Sequence, residues 1–291
     1  MRRKVPKEKK YDVIIIGGAI MGSASAYFLS ENPDYNGKTL VIDKDLTFEF
    51  SSTARTNSCI RQQFSEPINV KISQFTASFI SRLNKNYFKI GLPQQINLDN
   101  FGYLYLASTK KAADILRANQ LMQNSLGSGT YLLGKKEACK IFPFMNFSDI
   151  LLCSHNTKDE GYFDGQLLFE FFKNYTVSHG VEYIQNEVVD VMLEGGRVKK
   201  VTLKGGESIS CENLVNCAGT NAKGISKMVD CNLPVEARKR FSFVFDSEEK
   251  LDEKVPLTID PSGIHFRSDG ERFLAGCGPS EDFPVDQSDF S

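Results

Sequence analysis

The sequence predicts an α/β protein of two domains, and three observations predict it. A β-branched run at residues 11–16 enters a glycine-rich turn at 17–22 and then a stretch of small and apolar residues. A second short apolar run, 39–42, ends on an acid, Asp43. Glycine pairs at 195–196 and 205–206 punctuate a series of strand-like runs, the mark of a β-meander. Together these describe a Rossmann-like domain with a β-meander, beside a second domain with an antiparallel sheet. The 291 residues are enough for two domains at roughly 150 each.

The elements follow in order. Residues 11–16 read as a buried parallel strand, 23–30 as a helix and 39–42 as the next strand, a βαβ unit. Residues 47–64 form a loop dense in Ser, Thr and Asn. Pro67 suits the first turn of a long helix running towards residue 90. Residues 101–106 are aromatic and strand-like, and 109–126 form an amphipathic helix ending at Gly127. A short helix at 135–141 stops before Pro143, and another at 166–178 is closed by Gly180. From Val181 three strands turn at the glycine pairs, and 213–217 is a further strand leading to a helix that ends near Val229. Residues 235–245, 264–267 and 273–275 read as strands of the antiparallel sheet.

The turn carries the chemistry. Gly17 makes the tight bend, Gly22 lets the helix pack closely on the sheet, and the helix N-terminus presents backbone N–H groups to a pyrophosphate. Asp43 lies where a ribose hydroxyl needs an acceptor. Ala19 replaces the glycine that normally lets the backbone approach the pyrophosphate; Gly18 can take part of that role. Spacing alone does not separate FAD from NAD.

Composition excludes several classes. Lys+Arg is 35 and Asp+Glu 36, so no basic excess favours nucleic acid. Seven cysteines, an odd number without a CxxC, argue against a disulfide framework and for reduced thiols. His155, His179 and His265 form no HExxH or close pair, so no metal site is expected. The chain lacks GxSxG. Its longest apolar run, 13–21, is too short for a transmembrane segment, which needs about 20 residues. The first ten residues carry six Lys/Arg and one Glu and read as a solvated arm or the stub of a mitochondrial presequence. Residues 278–291 read as an acidic tail.

The turn, the meander and the segment 214–219 (LVNCAG) together resemble the D-amino-acid oxidase and sarcosine oxidase family of flavoproteins. Three further stretches sharpen the resemblance: 60–65 (IRQQFS), 159–164 (DEGYFD) and 233–240 (LPVEARKR). In that order they are similar to a branch tied to assembly of mitochondrial respiratory complex I. The resemblance spans residues 11–279. It implies an FAD-binding domain from 11–90 and 159–229, and a substrate domain from 92–158 and 230–277.

By position, the resemblance implies that Gly17, Gly18, Ala19, Ile20, Met21 and Gly22 cradle the pyrophosphate of FAD. It implies that Asp43, with Lys44 beside it, binds the adenosine ribose, that Ser52 and Thr53 help hold the cofactor, that Val188 offers backbone hydrogen bonds to adenine, and that Ala218 and Gly219 lie along the dinucleotide. Arg61 falls where related amine oxidases place a basic residue over the flavin. Arg61 and Arg240 are the candidate catalytic residues, with Lys239 and Arg267 as further cations for a substrate carboxylate. The expected activity is oxidation of a C–N bond of a small amine or amino acid in a mitochondrial setting (matrix or peripheral inner membrane), or alternatively in the cytoplasm, with complex I subunits or assembly intermediates as partners. A noncatalytic FAD-binding assembly factor and a shortened inactive member are the alternatives. Besides Ala19, the chain departs from the family at Ser58-Cys59, where relatives often carry paired glycines. The family also implies a further C-terminal segment, beyond Ser291, that closes over the flavin ring. The stretch 271–276 lacks the lysine that promotes oxygen reduction in sarcosine oxidases, a hint for a dehydrogenase. His265 and Cys217 read as packing residues.

Overall fold

A computed structural model of the chain describes residues 4–248 and 250–286. In chain order the elements are β1 (Lys10–Ile16), α1 (Ile20–Ser30), β2 (Thr39–Asp43), β3 (Cys59–Ile60), α2 (Pro67–Lys85), β4 (Leu98–Asp99), β5 (Tyr103–Ala107), α3 (Lys110–Ser125), β6 (Tyr131–Leu133), α4 (Lys135–Ile141), β7 (Leu152–Asn156), β8 (Gly161–Phe163), α5 (Gly165–Ser178), β9 (Glu182–Gln185), β10 (Val188–Glu194), β11 (Arg197–Leu203), β12 (Ser208–Asn216), α6 (Ala222–Lys227), β13 (Phe241–Phe245), β14 (Leu257–Ile259), β15 (His265–Asp269) and β16 (Arg272–Cys277). They group into two compact units.

The first unit takes residues 4–56, 165–238 and 284–286 of the described chain. Its six-stranded sheet runs β10-β11-β12-β1-β2-β9. The four strands from β12 to β9 are parallel, and β10-β11-β12 is the antiparallel meander. Because β1 is covered on both faces, its pattern is a continuous apolar run rather than an alternation. Ile14 and Ile16 enter one core with Leu40, Ile42, Ile184 and Val201, while Val13 and Ile15 enter another with Ala26 and Val41. Helix α1 packs on α5, where Tyr27 meets the rings of Phe171, Phe172 and Tyr175 at centroid distances of 5.4, 5.1 and 4.9 Å.

Two expectations for this unit are corrected. The third meander strand and the strand at 213–217 are one element, β12, whose first half pairs β11 and whose length pairs β1. The first strand after Val181 belongs to the parallel part: β9 pairs β2, and the meander starts at β10. The basic arm is tied down where it is described. The Lys7 N–H donates to the Glu182 carboxylate, and Asn186 Nδ2 donates to the Lys4 carbonyl. Residues 1–3 of that arm, and 287–291 of the acidic tail, lie outside the described residues.

The second unit takes residues 57–164 and 239–283. Its seven-stranded sheet runs β13-β16-β15-β14-β5-β7-β6 and is antiparallel except for the β14–β5 pair. A small sheet, β3-β8-β4, stands beside it within the same unit. Residues 57–90, expected in the first domain, group here, because β3 pairs β8 and α2 packs on α3. The residues 159–164 follow for the same reason, and 230–238 group with the first unit. The long helix ends at Lys85, not near residue 90, in a turn through Gly91. The strand expected at 235–245 is only β13; before it the described backbone makes one isolated bridge, Arg238 to Pro284.

Candidate functional site: a glycine turn and an arginine cavity

The turn after β1 is a backbone-built cradle. Gly17 has φ of +94°, which L side chains rarely adopt, and a Cβ there would run into the Cys217 carbonyl. A Cβ on Gly22 would run into the Gly17 carbonyl. A Cβ on Gly18 would come within 3.0 Å of the Val41 side chain. Helix α1 begins at Ile20, so Ile20, Met21 and Gly22 form its first turn, and Ala19 is its N-cap with no side-chain cap bond. An uncapped helix start leaves donors and a positive dipole end for an anion. Ala19 takes an ordinary φ of −67°, so its methyl meets no conformational penalty at this position.

The neighbours complete the cradle. Asp43 Oδ2 accepts from the Gly18 N–H at 2.7 Å and Oδ1 accepts from the Asp45 N–H at 2.8 Å. Each carboxylate oxygen has a second lone pair for a hydroxyl donor. Burial raises the Asp43 carboxyl above its ordinary value, against the backbone hydrogen bonds that lower it. Thr53 Oγ1 accepts from the Ile20 N–H at 3.2 Å, tying the Ser/Thr loop to the helix start. Ser52 and Lys44 are exposed beside these residues in sequence. The Asn186 N–H donates to the Asp43 carbonyl at 2.9 Å, which ties the residues just before Val188 to the end of β2. Ala218 and Gly219 follow the Cys217 carbonyl across the face of Gly17, and Gly219 has φ of +56°. Cys217 is partly buried and its thiol is pushed up by burial, as suits packing rather than nucleophilic attack. These residues fit a dinucleotide: close backbone approach, free helix donors and an acid at the end of the second strand.

A second site lies within the other unit. Arg61 lines a cavity of about 320 Å³ together with Cys59, Phe64, Ser73, Tyr103 and Phe163. Its guanidinium lies 4.4 Å from the Phe64 ring centroid and 5.8 and 5.9 Å from those of Tyr103 and Tyr105. Its Nε is buried without a hydrogen-bond partner. A guanidinium with one free N–H, set against aromatic faces, has the chemistry to receive a planar anion. Burial raises the Tyr103 and Tyr105 hydroxyls and the Cys59 thiol, so these groups stay neutral near pH 7.

Behind Arg61 stands a residue that sequence reasoning passed over. Glu160 is 0% exposed and takes four hydrogen bonds, from Gln62 N (2.6 Å), Gln63 N (3.0 Å), Asn156 Nδ2 (3.0 Å) and Gln63 Nε2 (3.0 Å). Burial nonetheless lifts its carboxyl to about 7. In the sequence the stretch 159–164 speaks only through its resemblance; the signal within it is the acid ahead of a glycine that folding places at φ of +145°.

The other cations go elsewhere. Arg240 is exposed and pairs bidentately with Asp282, at 2.8 and 2.9 Å, and does not line the Arg61 cavity. Arg267 is 4% exposed and serves the fold: it donates to the Ser268 carbonyl, Asp269 and the Asn57 carbonyl and lies over the Tyr162 ring. Lys239 precedes the Arg240 pair and its carbonyl accepts from Arg240 Nη1. His265 approaches Asn57 Nδ2 at 3.5 Å, and burial lowers its pKa. Among the described residues no group of three His, Cys, Asp or Glu is placed to hold a metal, and no helix is long and apolar enough to cross a membrane.

Comparison with known proteins adds to this geometry. The family model described as FAD dependent oxidoreductase matches residues 12–291. FAD-dependent oxidoreductase domain-containing protein 1 of Xenopus laevis is 30% identical over 318 residues, covering 98% of this chain and 63% of the relative. Sarcosine oxidase subunit beta of Rhizobium meliloti is 25% identical over 256 residues, covering 83% of this chain and 57% of the relative. The chain thus spans under two thirds of the length of these relatives. Among solved structures, L-proline dehydrogenase from P. horikoshii superposes with a TM-score of 0.78 at 22% identity, covering 95% of this chain and 72% of that one. That likeness shows a shared fold.

Proposed function

The chain belongs to the family of FAD-dependent oxidoreductases, and from that premise we propose that it oxidises a C–N bond of a small amino acid or amine whose carboxylate is held by Arg61. The observation that carries this reading is the buried, unpartnered Nε of Arg61 in an aromatic-walled cavity. Gly17–Gly22, Asp43 and Thr53 would hold the pyrophosphate and ribose of FAD, with Val188, Ala218 and Gly219 along the dinucleotide. The chemistry FAD supplies when bound is acceptance of a hydride equivalent from the carbon next to nitrogen. Arg61 binds and orients: its fork fits a carboxylate bidentately. The rings of Phe64, Tyr103 and Tyr105 exclude water around that ion pair and so strengthen it. The name of the relative from Rhizobium and that of the P. horikoshii structure, sarcosine oxidase and L-proline dehydrogenase, agree with a small amino acid as substrate.

The setting is part of the same proposal. We place the chain in mitochondria, in assembly of respiratory complex I. The support is the order of the three stretches at 60–65, 159–164 and 233–240.

The test begins with the protein purified in FAD and desalted. A retained flavin spectrum that bleaches anaerobically with glycine, sarcosine or L-proline is expected. A folded, colourless protein counts against the cofactor site; a coloured protein that none of the three bleaches counts against the substrate class. For the setting, loss of the gene should lower assembled complex I on native gels, and a normal level rejects that role.

A further inference from the structure

We propose that Glu160 is a positioning residue that fixes the orientation of Arg61 and thereby sets selectivity for ligands carrying a carboxylate. The inference rests on the reading of Arg61 as a carboxylate anchor and deepens it.

A fully buried carboxylate is expensive to keep unless its lone pairs are satisfied. Glu160 meets that condition through the strand end that carries Arg61. Its Oε1 accepts from the consecutive N–H groups of Gln62 and Gln63 and from Asn156 Nδ2, and its Oε2 accepts from Gln63 Nε2. The Gln62 N–H belongs to the peptide group that joins it to Arg61, so the bond at 2.6 Å fixes the plane from which the Arg61 side chain departs. The same segment is held from both sides. Gln62 Nε2 donates to the Lys158 carbonyl and Gln63 Nε2 to the Tyr103 carbonyl, while Ser154 donates to Gln63 Oε1 and Gln123 Nε2 to the Phe64 carbonyl.

The backbone that delivers Glu160 is shaped for the purpose. Asp159 sits at φ of +54°, a left-handed conformation that costs a non-glycine residue about 1 kcal/mol or more. Gly161 sits at φ of +145°, and a Cβ there would run into the Asp99 carbonyl. Strain of this kind persists only where surrounding contacts over-determine it. A glutamine would not serve in place of Glu160. All four of its partners donate, so one amide nitrogen of a glutamine would face the Gln63 amide donor to donor.

The test uses FAD-loaded full chain and calorimetric affinities for glycine, sarcosine and L-proline, with L-prolinamide as the ligand that lacks the carboxylate. Arg61→Met and Glu160→Gln should each weaken L-proline binding at least about tenfold and leave L-prolinamide within about twofold. The double variant should bind L-proline no more weakly than Arg61→Met alone. Additive losses, or equal weakening of L-proline and L-prolinamide by Glu160→Gln, overturn the positioning role while the Arg61 anchor stands. An unchanged L-proline affinity in Arg61→Met, or no binding of any of the three amino acids by the unaltered chain, rejects the anchor and the inference together. Should Glu160→Gln fail to fold, Gln63→Met removes the amide bridging Glu160, Tyr103 and Ser154, and the same comparison applies.

Discussion

The glycine turn at 17–22 and the arginine segment at 61–64 are built in opposite ways. The turn works by removing side chains: Gly17 and Gly22 sit where a Cβ would collide with a backbone carbonyl, and the N-cap, Ala19, has no side-chain cap bond. The arginine segment works by adding them: Glu160, Ser154 and Gln123, from three other parts of the chain, bond the polar groups of residues 62–64, and Asn156 bonds Glu160 in turn. A backbone cradle tolerates almost no change at its glycines and much change around them. A side-chain cradle spreads its tolerance over many positions, and its weak points are electrostatic.

That contrast is broken most directly at Gly17. Gly17→Ala places a methyl against the Cys217 carbonyl in a conformation L residues avoid. FAD affinity should fall at least about 100-fold, or ~2.7 kcal/mol, measured as flavin retained after desalting and by calorimetric titration. An unchanged affinity would mean that the turn rearranges freely and is not the cradle.

The arginine segment should show its weakness in pH. Glu160 titrates near 7 when folded, against 4.5 for an ordinary glutamate. Between those values the folded chain holds a proton that the unfolded chain has released, so stability falls as pH rises. The contribution is fully present below about pH 4.5 and is lost through about pH 7, on the order of 3 kcal/mol in all. Denaturant melts across this window should show the decline, and Glu160→Gln should flatten it. A decline of the same size in Glu160→Gln would assign the effect to other groups.

A smaller effect is expected at Asp43. Asp43→Asn keeps an acceptor for the Gly18 N–H but replaces one carboxylate oxygen with a donor that faces the Asp45 N–H. FAD affinity should drop roughly tenfold, about 1.4 kcal/mol, with the protein still folded. A loss as large as that of Gly17→Ala would show that the acid, not the backbone, dominates the turn.

The two regions were also unequally legible in the sequence. The turn is local: strand, glycines, helix and acid lie within residues 11–43, and their periodicities state the geometry directly. The strand β12 was harder, because a meander hairpin and a parallel return share one continuous element, and only pairing reveals that. The placement of residues 57–90 depended on a two-residue strand, β3, too short to leave a pattern, and on the packing of α2 against α3. Arg61 stands out through resemblance, but Glu160 bonds the neighbouring Gln62 from 98 residues away, a separation at which no periodicity connects residues. Arg240 shows the converse: a cation in a suggestive stretch goes to an exposed pair with Asp282, since charge alone does not say which acid a fold will bring near.

The last comparison, which holds the smallest effect, concerns Ser58 and Cys59, the two positions at which the family resemblance expects glycines. Ser58 has φ of +48°, so the backbone does call for glycine there, while its carbonyl accepts from the Phe163 N–H and ties the loop to β8. A left-handed serine costs about 1 kcal/mol, and glycine loses roughly 0.5–1 kcal/mol more chain entropy on folding, so the two nearly cancel. Ser58→Gly should therefore shift stability by less than about 1 kcal/mol, in the stabilising direction if at all. Cys59 is different: it lies in β3, pairs with Tyr162 and lines the Arg61 cavity. Cys59→Gly removes a half-buried thiol and loosens a strand, and should cost about 1–2 kcal/mol. Thermal melts of the two variants therefore diverge in sign or size. If both were stabilising, the chain's departure from paired glycines would be a flaw in the loop; the opposed outcome makes Cys59 a wall of the cavity that Arg61 occupies.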